Sequence, residues 1–307
     1  MNFPRRLRGA AIILLTILAI VVFDASRRQA KAQIAFLGTC NVTMSTVNFG
    51  SIDVLQGVPA TASGTMTVTC TGATLLGAVY ACVSFSSPQT MKGPSSSTLQ
   101  YTLGPPPSPS TPIQMTLSTI LGVGTAKLTL NVPATVLANQ QGARPGAYSQ
   151  SVTVTIKYST LSCAAGLLTG QSTSAFAVTA TVVNSCNVSA NNLNFGTFGD
   201  LNTAISQQTS LSVQCSNGIP YAIALNGGLS NATNPAQRKM TLGAKAISYG
   251  LYRDSAHANP WGSTTGTTAS GTGTALAQSL PVYGFVPAQT TPPIGTYSDT
   301  IVVSVLY

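Results

Sequence analysis

The side chains that could do acid–base chemistry are few in this sequence of 307 residues. Beyond the amino-terminal segment the only acidic residues are Asp53, Asp200, Asp254 and Asp299, glutamate is absent, and His257 is the only histidine. Asp254 and His257 could join a serine in a hydrolytic triad, but no Gly-x-Ser-x-Gly motif is present. The dispersed aspartates do not indicate the paired carboxylates of a glycosidase. We therefore predict a protein that is not an enzyme, with His257 in a solvated loop.

Metal and nucleic-acid binding have equally little support. The six cysteines have no C-x₂-C spacing, no histidine cluster exists, and no aspartate-rich calcium loop is present. Lysine and arginine residues are scattered, whereas a nucleic-acid surface needs them clustered. We expect no metal, no cofactor and no nucleic-acid partner.

The amino terminus has the pattern of a secretory signal. Three arginines precede an apolar run from Ala10 to Phe23, and Ala30-Lys31-Ala32 is a small-x-small cleavage site. The apolar run is shorter than a membrane-spanning helix needs. We predict a signal peptide at residues 1–32 and an exported chain beginning at Gln33. That chain has eight basic and four acidic residues, a net charge of +4.

The composition favours β structure in an exported protein. Charged residues make up only 6% of the chain, against about a quarter in ordinary globular proteins. The chain therefore lacks the glutamates and lysines that cover the exposed faces of helices. Six cysteines suit disulfide formation in an oxidising compartment.

Two long stretches of the chain repeat each other in order. Cys40 and Cys186 each open a Cys-Asn-Val sequence, an Asn-Phe-Gly follows in both, and Cys70 and Cys215 close the stretches at nearly equal spacing. Later segments repeat as well, since GAYSQSVTVTIKY at 146–158 matches GTYSDTIVVSVLY at 295–307. We conclude that one domain is present twice.

Both closing segments alternate apolar and polar residues, which predicts half-buried strands. Short strands and turn residues over about 120 residues per unit favour immunoglobulin-like β-sandwiches. The predicted fold class is therefore all-β, with two tandem domains. In the second closing segment one face carries four apolar residues: Ile301, Val303, Val305 and Tyr307.

The repeats narrow the fifteen pairings that six cysteines allow. We predict Cys40–Cys70 and Cys186–Cys215, each joining a first strand to a second. Cys82 and Cys163 have no counterpart in the second repeat, so they are predicted to pair with each other. Closing a loop of about thirty residues should contribute roughly 3–4 kcal/mol.

One further strand pattern lies between the repeats, with apolar residues at alternate positions: Phe176, Val178, Ala180 and Val182. Two interpretations stay open, because this strand could complete the first repeat or begin the second. We predict domains at residues 33–160 and 172–307, joined by a linker loop at 161–171.

These features resemble the spore coat protein U family, the secreted subunits of archaic, Csu-type chaperone–usher pili. The resemblance is carried by Cys186-Asn-Val, Asn194-Phe-Gly, Tyr249-Gly-Leu-Tyr-Arg-Asp254, Val282-Tyr-Gly-Phe-Val286 and the ending from Gly295. It covers the second repeat and both ends of the first. It implies that the C-terminal domain is an incomplete immunoglobulin-like pilin fold that lacks its last strand.

The resemblance also implies assembly by donor-strand complementation, in which an added strand completes a sheet. A periplasmic chaperone would fill the groove, the outer-membrane usher would assemble the fibre, and a neighbouring pilin subunit would replace the chaperone. Ile301, Val303, Val305 and Tyr307 would form the acceptor-groove strand, and the strand from Phe176 is a possible donor. The protein would travel through the periplasm to a fimbrium on the cell surface.

Two departures from the family pattern suggest a tip adhesin. The chain has two domains, and the segment from Gln33 to Cys40 is short for a donor strand. We expect residues 33–160 to bind a hydrophobic surface or host receptor, supporting attachment and biofilm formation, and residues 172–307 to anchor the subunit. The alternatives are a shaft or coat subunit without a binding role and, less favoured, a secreted β-sandwich hydrolase.

The candidate adhesive loops of the first repeat carry leucine, valine or proline beside turn residues. If several lie at one end of the domain, they form an apolar patch of the kind that marks interaction sites. The candidates are Leu75, Leu76, Pro105, Pro106, Pro107, Val136, Leu137, Leu167 and Leu168.

Overall fold

The computed structural model describes five stretches of the chain: residues 36–73, 77–104, 113–116, 123–160 and 170–307. Strands dominate these stretches, and the only helical elements in them are two short 3₁₀ turns, Val54–Gln56 and Pro94–Ser96. None of the described residues form a helix long and apolar enough to cross a membrane. The predicted signal peptide lies outside the described residues.

Ten strands build the first domain. They are β1 Leu37–Met44, β2 Val47–Ile52, β3 Ala60–Ala73, β4 Ala78–Phe85, β5 Thr90–Lys92, β6 Thr98–Leu103, β7 Ile113–Thr116, β8 Gly124–Val136, β9 Gly146–Ser159 and β10 Gly170–Val182. One layer has the order β1-β3-β8-β6, the other contains β7-β4-β9-β10-β2, and β5 links them at one edge. A single apolar core fills the space between the layers.

Eight strands build the second domain. They are β11 Cys186–Ala190, β12 Ile205–Cys215, β13 Pro220–Leu225, β14 Arg238–Leu242, β15 Lys245–Tyr252, β16 Ala269–Thr272, β17 Gln278–Val286 and β18 Val303–Leu306. One sheet has the order β11-β12-β17-β15-β14 and the other has β16-β13-β18. A separate core lies between them and contains Trp261, the only tryptophan of the chain. The predicted all-β pair of sandwiches is confirmed.

Alternation of residue type explains which side chains enter the cores. In β9, Val152, Val154 and Ile156 are fully buried, whereas Ser151 and Thr153 are exposed and Thr155 is partly exposed. Successive side chains of a strand point to opposite faces, so this two-residue period places every second residue inside. The β-branched residues of the closing segment therefore form one wall of the first core.

Strand β10 belongs to the first domain by packing. It pairs antiparallel with β9 from Gly170↔Tyr158 to Val182↔Gly146, and parallel with β2. Its apolar face lies in the first core, where Val178 is fully buried. The sequence left open whether this strand completes the first repeat or begins the second, and its packing shows that it completes the first. The packing boundary therefore falls after Val182 and not within the predicted 161–171 linker, because only the first sandwich covers this apolar face.

Two predicted disulfides are present. Cys40–Cys70 joins β1 to β3, and Cys186–Cys215 joins β11 to β12, each between residues directly opposite in the two strands. Cys82 is also disulfide-bonded. Its predicted partner, Cys163, lies outside the described residues.

The two domains meet at a short, hydrogen-bonded joint. The amide of Val183 donates to the carbonyl of Ile52 at 3.0 Å, and Ser185 Oγ donates to Asp53 Oδ2 at 2.9 Å. On the second domain, Asn217 Nδ2 donates to the carbonyl of Gly142 at 2.9 Å. The segment after β10 is thus bonded to the first domain before β11 begins.

The position of β10 predicts how fragments of the chain should behave. Residues 33–160 should aggregate or remain unfolded, because the edges of β9 and β2 would lack their partner strand and the core would lose the apolar face of β10. Residues 33–183 should form a folded monomer. Gel filtration and circular dichroism measure the difference. A stable, monomeric 33–160 fragment would contradict the assignment.

Two variants of the 33–183 fragment test the buried face itself. Phe176→Ala should lower its free energy of unfolding by about 3–5 kcal/mol through the cavity it leaves. The matched Thr181→Ala change alters an exposed residue of the same strand and should stay within about 0.5 kcal/mol of the unsubstituted fragment.

Candidate functional site

The clearest difference between the two domains is at the closing strand of each repeat. In the first domain, β9 lies between β4 and β10. In the second, β18 pairs with β13, from Val303↔Leu225 to Leu306↔Ala222, and ends its sheet among the described residues. The second sandwich thus has no counterpart of β10 in the described part of the chain.

The absent neighbour shortens the strands that would flank it. Residues 146–159 all lie in β9, but of the matching segment 295–307 only Val303–Leu306 is a strand. Likewise Val47–Ile52 forms β2 beside β10, while the matching residues 193–198 are not in a strand. Backbone groups need partners to form a ladder, so both segments stay irregular where no strand lies between them.

Burial of matched side chains shows the same opening. Val152, Val154 and Ile156 of β9 are fully buried. Their counterparts Ile301, Val303 and Val305 are half-buried and contact the second core from its margin. Tyr158 is 6% exposed, whereas its counterpart Tyr307, which directly follows β18, is 59% exposed. We call the space between residues 193–195 and 301–307 the open groove.

The other side of the open groove is formed by Leu193 and Phe195. Both pack against the second core over Gly284, where any side chain would collide with them. The Phe195 ring meets the ring of Tyr249 edge to face, with centroids 5.9 Å apart. A large side chain at position 284 would therefore displace this side of the groove.

A tyrosine–carboxylate contact holds the β18 side of the groove to the opposite sheet. The Tyr249 hydroxyl on β15 donates to Asp299 Oδ2 at 2.7 Å. Asp299 Oδ1 accepts from the amides of Leu229 at 2.7 Å and Thr300 at 2.8 Å. Burial, and then the hydrogen bond to Asp299, raise the pKa of Tyr249, so the hydroxyl remains a neutral donor.

The first domain has the same contact with an uncharged acceptor. Gln150 occupies the position of Asp299 in the repeat, and the Tyr101 hydroxyl on β6 donates to its Oε1 at 2.8 Å. Burial raises the pKa of Tyr101 to about 12. Both sandwiches thus tie the closing segment to the facing sheet through one tyrosine.

Arg238 supports the strand that pairs with β18. Its side chain is fully buried, and its guanidinium donates to the carbonyls of Leu225, Asn226, Pro235 and Trp261 at distances of 2.6–3.2 Å. Burial lowers its pKa, an effect that Tyr249 and Asp299 oppose. The end of β13 is therefore fixed independently of anything that occupies the groove.

These supporting contacts were not predicted from the sequence. Tyr249 and Asp299 lie in two of the motifs that carried the family resemblance, but their pairing spans 50 residues. Arg238 lies in a polar stretch with no motif of its own, so nothing in its local sequence distinguished it from a solvated arginine.

The residues considered for catalysis have local structural partners. Asp254 accepts hydrogen bonds from the amides of Ala258 at 3.0 Å and Asn259 at 2.7 Å. The first of these bonds does most to lower its pKa. His257 was predicted to lie in a solvated loop. Its ring instead packs on the ring of Phe285, with centroids 4.6 Å apart. The described residues contain no metal-binding group of three side chains.

The candidate adhesive residues divide into two sets. Val136 is 2% exposed and packs in the first core, which removes it from the adhesive set. Leu137 is 38% exposed. The other seven candidates lie outside the described residues: Leu75, Leu76, Pro105, Pro106, Pro107, Leu167 and Leu168.

The architecture therefore defines a two-domain, immunoglobulin-like β-sandwich protein with one completed and one incomplete sandwich. The chain belongs to the spore coat protein U family: the model of the Spore Coat Protein U domain matches residues 27–155 and 172–304. Protein U of Myxococcus xanthus is 35% identical over 127 residues, which span 38% of this chain and 71% of that protein.

A solved structure shares the fold. It belongs to the CsuC–CsuE chaperone–tip adhesion subunit pre-assembly complex from archaic chaperone–usher Csu pili of Acinetobacter baumannii. The similarity has a TM-score of 0.52 at 19% sequence identity, and covers 88% of this chain and 100% of that chain.

The family match and the packing assign β10 to different domains. The second matched region begins at residue 172, so most of β10 belongs to the second unit by sequence. By packing it belongs to the first domain. The first sandwich is therefore completed by the leading segment of the unit that follows it.

Removal of the Tyr249 hydroxyl should loosen the second domain. Tyr249→Phe leaves the half-buried Asp299 carboxylate without one donor and should lower the free energy of unfolding by roughly 1.5–3 kcal/mol, the range for hydrogen bonds to charged groups. Urea unfolding followed by Trp261 fluorescence measures it, because Trp261 lies in the second core.

Tyr101→Phe is the matched control. It breaks the equivalent bond in the first domain and should leave the Trp261 transition unchanged. Equal midpoints for Tyr249→Phe and the unsubstituted protein would contradict the role given to this contact.

Proposed function

We propose that this chain is a structural and adhesive subunit of a chaperone–usher pilus, whose second domain receives a donor strand from another polypeptide. One observation carries the proposal: the same sandwich occurs twice, once with β10 beside its closing strand and once with an open groove. Because β10 leads the second family unit, the chain itself contains one completed example of a unit closing its predecessor.

The chemistry of the open groove suits a strand better than a small molecule. Among the described residues β18 is the outer strand of its sheet, so its free edge can pair with an added strand, and Ile301, Val303 and Val305 present half-buried apolar side chains at alternate positions. An added strand would supply main-chain hydrogen bonds and alternating side chains together. An uncovered edge is also an aggregation hazard, which supports a periplasmic chaperone as first partner and a neighbouring pilin, delivered by the usher, as second.

The use of β10 within the chain supports a position at the pilus tip. The segment that would leave a single-domain subunit as its donor strand is buried here in the first domain of the same chain. Attachment to the fibre would then occur through the second domain alone. The similar Acinetobacter complex contains a tip adhesion subunit, and we extend that position to this chain, on the surface of the cell.

The topology supports a binding role for the end of the first domain that is remote from the joint. Several strands of the first domain begin or end at this remote end of the sandwich, as their pairings with β1, β3, β4 and β9 require. The residues at these strand ends are Ala73, Ala78, Thr116, Gly124 and Gly170. These ends border residues 74–76, 117–122 and 161–169, which include Leu75, Leu76, Leu167 and Leu168. We propose that these leucines contact a hydrophobic surface or receptor and so support biofilm formation.

Paired substitutions in β18 test the acceptor role. Val303→Asp introduces a charge into the open groove, so it should prevent co-purification with the periplasmic chaperone and incorporation into pili. Ser304→Asp places the same charge on the exposed face of β18 and should leave both unchanged. Trp261 fluorescence checks that the second core still folds. Equal chaperone recovery for a folded Val303→Asp variant would contradict the proposal.

Immunogold electron microscopy tests the position in the fibre. Antibody to the first domain should label only the free ends of pili. Labelling along the fibre would support the alternative of a shaft subunit.

Leucine-to-serine changes test the binding end. A variant with serine at Leu75, Leu76, Leu167 and Leu168 should still assemble but should lose most attachment to hydrophobic plastic. Leu137→Ser is the control, since Leu137 is exposed but lies at the joint end of the domain, where β8 ends. Retained attachment by the fourfold variant, with pili counted by microscopy, would argue against an apolar contact surface.

A further inference from the structure

Tyrosine rings of this protein repeatedly lie across glycines of a neighbouring strand. Gly170 is the register partner of Tyr158, and Gly271 is the register partner of Tyr221. A side chain on either glycine would collide with the tyrosine ring. A ring that lies over a cross-strand glycine covers backbone that the glycine leaves bare, which stabilises the pair.

Tyr307 occupies in the second repeat the position that Tyr158 occupies in the first. Tyr158 lies over Gly170 and is 6% exposed, whereas Tyr307 is 59% exposed at the edge of the open groove. The position that would oppose it belongs to the strand that the second domain lacks among its described residues.

Tyr148, at the other end of the same pairing, does not repeat this arrangement. It is the register partner of Ala180 and is 1% exposed, but its ring lies against Gly93, and its hydroxyl donates to the carbonyl of Arg144 at 2.7 Å. Within the β9–β10 pairing, the ring-over-glycine contact is therefore made by Tyr158 and Gly170.

We infer that the strand received by the second domain carries glycine opposite Tyr307. This inference rests on the proposed acceptor function and specifies its partner. After the glycine, the inward positions follow the pattern of β10: small polar residues opposite Val305 and Val303, then a large apolar residue opposite Ile301 and a branched one opposite Asp299.

The glycine fixes the register of the incoming strand, which alternation cannot do. A slip of two residues keeps every apolar side chain on the inner face, so alternation alone leaves the register open. With the β10 sequence, such a slip would place Ser172 opposite the tyrosine in place of Gly170. The glycine thereby selects one register among those that bury the same face.

The pairings of β10 also set the direction of the incoming strand. β10 is antiparallel to β9 and parallel to β2, where Val178 opposes Val47. If the second domain follows the pairing of the first, the incoming strand runs antiparallel to β18 and parallel to residues 193–195. Leu193 then takes the place of Val47. Its glycine therefore enters beside Tyr307, and its other end leaves near Gly295 toward the rest of the partner.

A self-completed version of the full chain tests the inference. A second copy of residues 159–183, with Cys163→Ser in the copy, is attached after Tyr307, so that it follows β18 as β10 follows β9. The expected product is a monomer that needs no chaperone. Its second domain, followed by Trp261 fluorescence, should have a Tm higher by roughly 10 °C, as a few kcal/mol of added stability would give.

Two variants of the attached copy separate glycine from general strand addition. Gly170→Leu in the copy should lose most of the Tm gain, whereas Ala177→Leu, at a position exposed in β10, should keep it. Adding Tyr307→Ala should make the unsubstituted copy and the Gly170→Leu copy equal, because the ring that selects glycine is gone.

The outcomes distinguish the inference from the function on which it rests. Equal Tm gains for the unsubstituted copy and the Gly170→Leu copy, with Tyr307 intact, would overturn the glycine requirement and leave the acceptor role standing. No gain from any copy would overturn the inference and the acceptor role together.

Discussion

The structure depends most on the main-chain pairing between β9 and β10. This pairing runs from Gly170↔Tyr158 to Val182↔Gly146, and it makes the closing segment of the first repeat one long strand. Where the second repeat lacks such a neighbour among its described residues, the matching segment is a strand only at Val303–Leu306 and its apolar residues stay half-buried. One chain therefore contains the completed and the open forms of the same sandwich. Among the described residues the second form lacks a counterpart of β10, and the segment that matches β2 is not a strand.

An open groove remains usable only if its sides hold their positions while it is empty. In the second domain the contact from Tyr249 to Asp299 ties the closing segment to the facing sheet, and the buried Arg238 fixes the carbonyl ends around β13. Pre-organised sides reduce the ordering that an incoming strand must impose. The first domain makes the equivalent contact through Tyr101 and Gln150, so this support is part of the fold and the missing strand is the variable feature.

Much of the fold followed from local pattern. Alternation in 146–158 and 295–307 predicted strands, and the repeated cysteines predicted Cys40–Cys70 and Cys186–Cys215, both of which are present. Other positions were misjudged because exposure depends on distant residues. Val136 follows the pattern of a loop edge in sequence but ends β8 inside the core. His257 packs on Phe285, 28 positions away, which no local rule anticipates.

The sequence by itself determined the β class, the duplication, two of the disulfides, the membership of the spore coat protein U family and the apolar faces of the candidate strands. Only the tertiary structure decided which sandwich receives Phe176 to Val182. The physical reason is that a period-two pattern specifies an apolar face but not the partner that covers it. That choice is made by main-chain pairing between segments far apart in the chain.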